Sequence, residues 1–209
     1  MAKHGDNKQV AASARKARLR NLRLMRAFAF VVILCTAFVA GFAVRSNDAL
    51  LESLGFAALL ESGAFEQVTV MVQKEVAQRI CAEPGTAAYS AFSIYVQYHA
   101  KAEILFDVPA DCFVPKPKVD SAVLKLVPLD KPAVETKDEK LFFALVRAAF
   151  NMRRKTLVNA LGPVLGSSMS KEEITALVEA AGLDARVRGE RLSLAEYAKL
   201  ADLAAEKLQ

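Results

Sequence analysis

AEILFDVPADCFVPKPKVDSAV (Ala102–Val123) decides the fold class. Its two ends are β-branched and apolar, and they predict strands over Ala102–Val108 and Ser121–Val127. Between them Pro109, Pro115 and Pro117 remove backbone donors, so the chain cannot continue as one strand and must form a loop. Upstream, Gln67–Gln73 (QVTVMVQ) is apolar on both faces, the pattern of a strand buried inside a parallel sheet. Ala57–Glu66 reads as the last turns of a helix ending at Gly63, and Lys74–Ala82 as a helix stopped by Pro84-Gly85. Ala91–His99 completes the helical predictions on this side. Three strands with helices between them are α/β in character but too few for a doubly wound domain.

Downstream the pattern changes. Asp130–Thr136, which contains Pro132, predicts a linker. Helical spacing follows over Lys137–Asn151, Arg153–Leu161, Lys171–Ala181 and Ser193–Lys207. Ser170 with Glu173, and Ser193 with Glu196, form capping-box spacings, and Gly182 is a helix stop. The expected organisation is an α/β fragment over 57–129, a linker at 130–136 and a small all-α domain at 137–209.

The start of the chain is different in kind. Residues 1–26 form a tail holding eight of the 28 basic residues and one of the 23 acidic ones. The remainder is slightly acidic, so bulk basicity says nothing about nucleic-acid binding by the folded part. Ala27–Val44 is an uncharged run of 18 residues, just long enough to span a bilayer as a helix. It reads as a retained signal anchor, with a cleaved signal peptide or a buried soluble helix as alternatives. The basic tail would put the N-terminus in the cytoplasm of a single-pass membrane protein, with a connector at 45–56. Cys35, Cys81 and Cys112, with His4 and His99, are too few and scattered for a disulfide framework or zinc site, so no metal is expected.

Four blocks in order carry a family resemblance. They are MVQKEVAQRI (Met71–Ile80), AEILFDVPADCFVPKPKVDSAV (Ala102–Val123), FFALVRAAFNMRRKTLVNAL (Phe142–Leu161) and RLSLAEYAKLADL (Arg191–Leu203). Together they resemble the C-terminal portion of the small-subunit ribosomal RNA adenine N6,N6-dimethyltransferases, joined to an unrelated membrane-anchor N-terminus. The resemblance implies that the strands are the last ones of a Rossmann-like methyltransferase sheet. It also implies S-adenosylmethionine as the family's cofactor, small-subunit ribosomal RNA as partner, and a cytoplasmic location that conflicts with the membrane segment.

From spacing alone, Phe113 reads as a core residue following a strand. The family motif makes it the face on which the target base stacks, a contact that tolerates any base. Lys116 and Lys118 in the same loop are either solvated charges or phosphate contacts. Arg147, Arg153, Arg154 and Lys155 put several cations on and beside one short helix, a solvated face by pattern and an RNA contact by resemblance. The set of Phe142, Phe143, Leu145, Val146 and Phe150 is core rather than a stacking platform. The family's glycine-rich turn, its ribose-binding acid and its Asn-(Leu/Ile)-Pro-(Tyr/Phe) motif have no counterpart among these residues. The expectation is therefore a chain that by itself neither binds S-adenosylmethionine nor methylates RNA, with residual RNA binding or a membrane-anchored interaction role as alternatives.

Overall fold

The computed structural model describes residues 65–208. The basic tail, the run at 27–44, the connector at 45–56 and nearly all of the helix expected at 57–66 lie outside the described residues. Among those described, no helix is long and apolar enough to cross a membrane.

Strand β1 (Val68–Gln73) leads directly into helix α1 (Lys74–Ile80), and α2 (Ala91–His99) leads directly into β2 (Ala100–Val108). A loop with a 3-10 turn at Ala110–Cys112 then returns to β3 (Ser121–Pro128). The sheet order is β1-β3-β2, and both pairings are antiparallel. This corrects the parallel surroundings expected for β1. The strand's burial alternates, and Val68, Val70 and Val72 lie opposite Leu126, Leu124 and Ala122 on one face. Helices α1 and α2 cover that face with Ala77, Ile80, Phe92 and Val96. On β2 the register slips between Ile104 and Phe106, a bulge that leaves Leu105 and Phe106 exposed.

The helical part comprises α3 (Glu139–Asn151), α4 (Leu157–Leu165), α5 (Lys171–Ala180) and α6 (Leu194–Leu208). Both predicted capping boxes form: Ser170 and Glu173 bond reciprocally, as do Ser193 and Glu196. At the end of α5, Gly182 adopts φ +86°, and Leu183 N donates to Val178 O while Gly182 N donates to Glu179 O. That is a Schellman ending, which glycine makes without steric cost.

Helix α4 differs from expectation at both ends. It begins at Leu157, not Arg153, because Leu157 N donates to Val187 O and Thr156 stands at the cap. It also runs past the expected end at Leu161, through Gly162-Pro163, to Leu165, which is fully buried in the core.

The two parts share α2. Its Phe92 and Val96 join the sheet's core, while Ile94 and Tyr98, with Tyr89 just before the helix, join the helical core. Tyr98 packs on Phe142 at 5.2 Å and Phe143 at 5.1 Å between ring centroids. Of the set read as core, Phe142, Leu145 and Val146 are buried, while Phe143 and Phe150 are half-buried and packed against them. The stretch expected as a linker is bound at both ends. Leu129 N and Ala133 N donate to His99 O and Tyr98 O, while Thr136 Oγ1 and Lys137 N both donate to Asp202.

A chain beginning at Val134 would lack Tyr89, Ile94 and Tyr98. Each such burial is worth about 1.5–3 kcal/mol, against about 5–15 kcal/mol for a whole domain's net stability. The shortened chain is expected to lose its cooperative thermal transition by circular dichroism; a transition as sharp as the full chain's would show that the helical core closes without α2. A second expectation concerns alkaline pH. Burial, reinforced by Glu139, pushes the Tyr98 phenol up to about 12, and burial also raises Tyr89 and Tyr197. The unfolded chain releases these protons near pH 10 while the folded chain keeps them, so their stabilisation is full below about pH 10 and lost as pH rises further. Melting temperature should fall above pH 10, and Tyr98→Phe should make the fall shallower.

Candidate nucleic-acid interface

The loop joining β2 to β3 is braced from both ends by Asp120. Its Oδ1 accepts from Ala110 N at 2.9 Å, and its carbonyl accepts from Lys74 N at 3.0 Å. Lys74 Nζ reaches Asp107 at 2.7 Å, and that carboxylate holds the ammonium above the ordinary lysine range. Within this frame Phe113 N donates to Ala110 O at 3.2 Å, closing the 3-10 turn. The Phe113 side chain is half-buried, so it is not part of the closed core. The Val114–Pro115 peptide is cis, and Val114 itself is fully exposed. Of the two loop lysines, Lys116 is ion-paired with Asp111, whereas Lys118 is exposed and forms no ion pair among the described residues.

The second group of predicted residues lies on the helical part. Arg147 is exposed on α3. Arg153, Arg154 and Lys155 occupy the turn between α3 and α4, not a helix as expected. Arg154 and Lys155 are exposed. Arg153 instead turns onto the protein, pairing with Glu190 through Nε and donating through Nη2 to Thr86 O at 3.3 Å and Ala87 O at 2.9 Å. No hydrogen bond or ion pair among the described residues joins this group to the loop around Phe113.

Sequence reading missed the other half of this surface. The Leu157 N–Val187 O bond of 2.7 Å lays the segment Arg186-Val187-Arg188 beside the turn that carries Arg154 and Lys155. Arg186, Arg188 and Arg191 are all exposed. These three, with Arg154 and Lys155, form no ion pair among the described residues. Of the acids in the segment, Glu190 pairs with Arg153, and Asp184 Oδ1 accepts from Arg186 N at 2.6 Å. Cations with no anionic partner among the described residues are suited to phosphate. The arginine pair at 186 and 188 is visible in the sequence, but its approach to residues 153–155 is a tertiary fact.

A cleft of about 460 Å³ opens between α1, the loop after it and the end of α3, lined by Gln78, Arg79, Ser90, Phe92, Phe150 and Arg153. Among the described residues no group of His, Cys, Asp and Glu is arranged to hold a metal ion. Gly85 and Gly182, the described glycines with positive φ, face the side chains of Arg191 and Lys199 and form no cradle.

Residues 52–206 match the family of ribosomal RNA adenine dimethylases. The ribosomal RNA small subunit methyltransferase A of Clostridium acetobutylicum is 49% identical over 144 residues, covering 69% of this chain and 51% of that protein. The protein of the same name from Streptococcus sanguinis is 52% identical over 146 residues, covering 69% of this chain and 50% of its own length. The chain thus spans about half the length of the curated relatives it matches. Among solved structures, a dimethyladenosine transferase from Plasmodium falciparum aligns with a TM-score of 0.61 at 26% identity, covering 72% of this chain and 62% of that one. The 23S rRNA methyltransferase ErmE aligns at 0.53 and 20% identity, over 74% and 61% of the two chains, which supports the methyltransferase-like fold alone.

These findings correct the expectation of a single-pass membrane protein. The relatives are named as ribosomal RNA methyltransferases, and no described helix is long and apolar enough to span a bilayer. With its match running from the connector through the last helix, the chain belongs to the ribosomal RNA adenine dimethylase family.

Proposed function

We propose that this chain is the RNA-gripping portion of an enzyme system that dimethylates adenosines of small-subunit ribosomal RNA. The observation that carries this reading is the exposed cation surface of Arg154, Lys155, Arg186, Arg188 and Arg191, none of them ion-paired within the described residues. Arg147 and Lys118 add exposed positive charge elsewhere, and Lys116 is held by Asp111. Phosphate contacts position an RNA but do not act on a base. The group suited to the base is Phe113, half-buried on a loop held at both ends by Asp120. An adenine drawn out of its stack can lie on such a ring, a contact worth about 1–3 kcal/mol.

Methyl transfer needs more than this grip. A methyl donor must be held in line with the adenine N6, and that amine must be oriented. S-adenosylmethionine would supply the methyl group. No glycine-rich turn or Asn-x-Pro-aromatic run in the sequence offers to hold it or to orient the amine. The chain by itself therefore binds RNA without binding the methyl donor.

The test is binding of the full chain to a small-subunit ribosomal RNA hairpin with two adjacent adenosines in its loop, titrated across salt concentrations. Affinity should fall linearly with salt on logarithmic axes, and Arg154→Gln or Lys155→Gln should each reduce the slope by about 0.7–0.9. Phe113→Ala should weaken binding without changing that slope. Absent or salt-independent binding would overturn the RNA reading. Saturable S-adenosylmethionine binding by calorimetry would overturn the cofactor part.

A further inference from the structure

The basic surface brings five cations from two chain segments into one region, and nothing in those side chains attracts one segment to the other. Their mutual repulsion must be offset nearby. Arg153, next to Arg154 in the first segment, is half-buried and turned onto the protein. Its guanidinium pairs with Glu190, which stands between Arg188 and Arg191 on the second basic segment. The same guanidinium donates to Thr86 O and Ala87 O in the loop after α1. That loop is tied to the second segment independently, because Gly85 N donates to Glu190 O at 2.7 Å and Tyr89 Oη donates to Leu192 O at 3.0 Å. Gly189 next to Glu190 is packed tightly against α3 and α6, and its carbonyl accepts from Tyr197 Oη at 3.0 Å. A Cβ there would stand 2.5 Å from Ala149 Cβ and 2.7 Å from Tyr197 Oη.

We propose that Arg153 is a positioning residue, not an RNA contact: its pairing with Glu190 and with the loop carbonyls clamps the two basic segments and the loop after α1 into one phosphate-binding surface. This rests on the RNA reading above for its functional consequence, but the clamp itself can be read without RNA. The fork of the guanidinium suits the task, since it serves one carboxylate and two carbonyls at once, which a lysine ammonium at the same position could not do in the same geometry.

Glu190→Gln separates the two roles by sign. If Arg153 were a phosphate contact held back by Glu190, removing that carboxylate's charge would tighten RNA binding and steepen its salt dependence. If Arg153 is the clamp, Glu190→Gln and Arg153→Gln both weaken binding, by about fivefold or more, with the wild-type slope retained. Arg153→Lys should fail to restore affinity despite keeping the charge. Amide hydrogen exchange at Gly85 is the RNA-free readout, expected to speed at least tenfold in both variants, with their circular dichroism spectra confirming the fold. Tighter binding by Glu190→Gln, a shallower slope in Arg153→Gln, or unchanged Gly85 exchange would each overturn the proposal. If the wild-type chain shows no salt-dependent RNA binding while Gly85 exchange still speeds in both variants, the clamp stands and the RNA reading falls.

Discussion

Helix α2 buries both of its faces, one among the valines of the sheet and the other among the aromatics of the helical bundle. The rest of the structure depends on this double burial. A helix packed on one side only can tilt or slide against its neighbours. Held between two close-packed cores, it fixes the direction in which β2 leaves at Ala100 and the height at which α3 meets Tyr98. The loop bearing Phe113 hangs from the far end of β2, and the turn bearing Arg154 hangs from the far end of α3. The relation between these two features is therefore set by one helix, not by a tether between independent domains.

Much of the fold is legible in the sequence because its signals are local. Short apolar runs rich in valine or leucine mark β1 and β3, the serine caps with glutamate three residues on mark α5 and α6, and Gly182 marks an ending that needs positive φ. The readings that failed were those decided by distant partners. Arg153–Leu161 has helical spacing, but Val187, thirty residues later, supplies the acceptor that makes Leu157 the first helical residue. The expected helix ends at Leu161, yet α4 continues to Leu165, whose side chain is fully buried. β1 looked interior to a parallel sheet because its composition reports burial, and composition carries no information on strand direction.

The interface divides along the same line. The residues near Phe113 lie within one stretch of twenty or so positions, and a motif in that stretch identifies them together. The basic surface is assembled from two stretches, and only one of them has the density of charge that attracts notice. Arg186 and Arg188 are separated by a half-buried valine and flanked by acids, so they read as ordinary solvated positions. Arg153 shows the same dependence on distant partners. Its neighbours at 154 and 155 are exposed, and sequence offers no means of seeing that one cation of the three turns onto Glu190.

A small cluster of cations can act on RNA even though the chain beyond residue 26 carries a slight excess of acid. Charges in water at physiological ionic strength are felt over about 8 Å, so acids on the far side of the helical part scarcely reduce the potential above Arg154 and Arg188. What reduces it is a carboxylate within the cluster, and Glu190 is such a group. Pairing with Arg153 removes that reduction while using the carboxylate to hold the cluster together. A neutral side chain at 190 would leave the potential higher but the segments free to part. A positive surface made from two segments is therefore served better by one ion pair that joins them than by one more exposed cation.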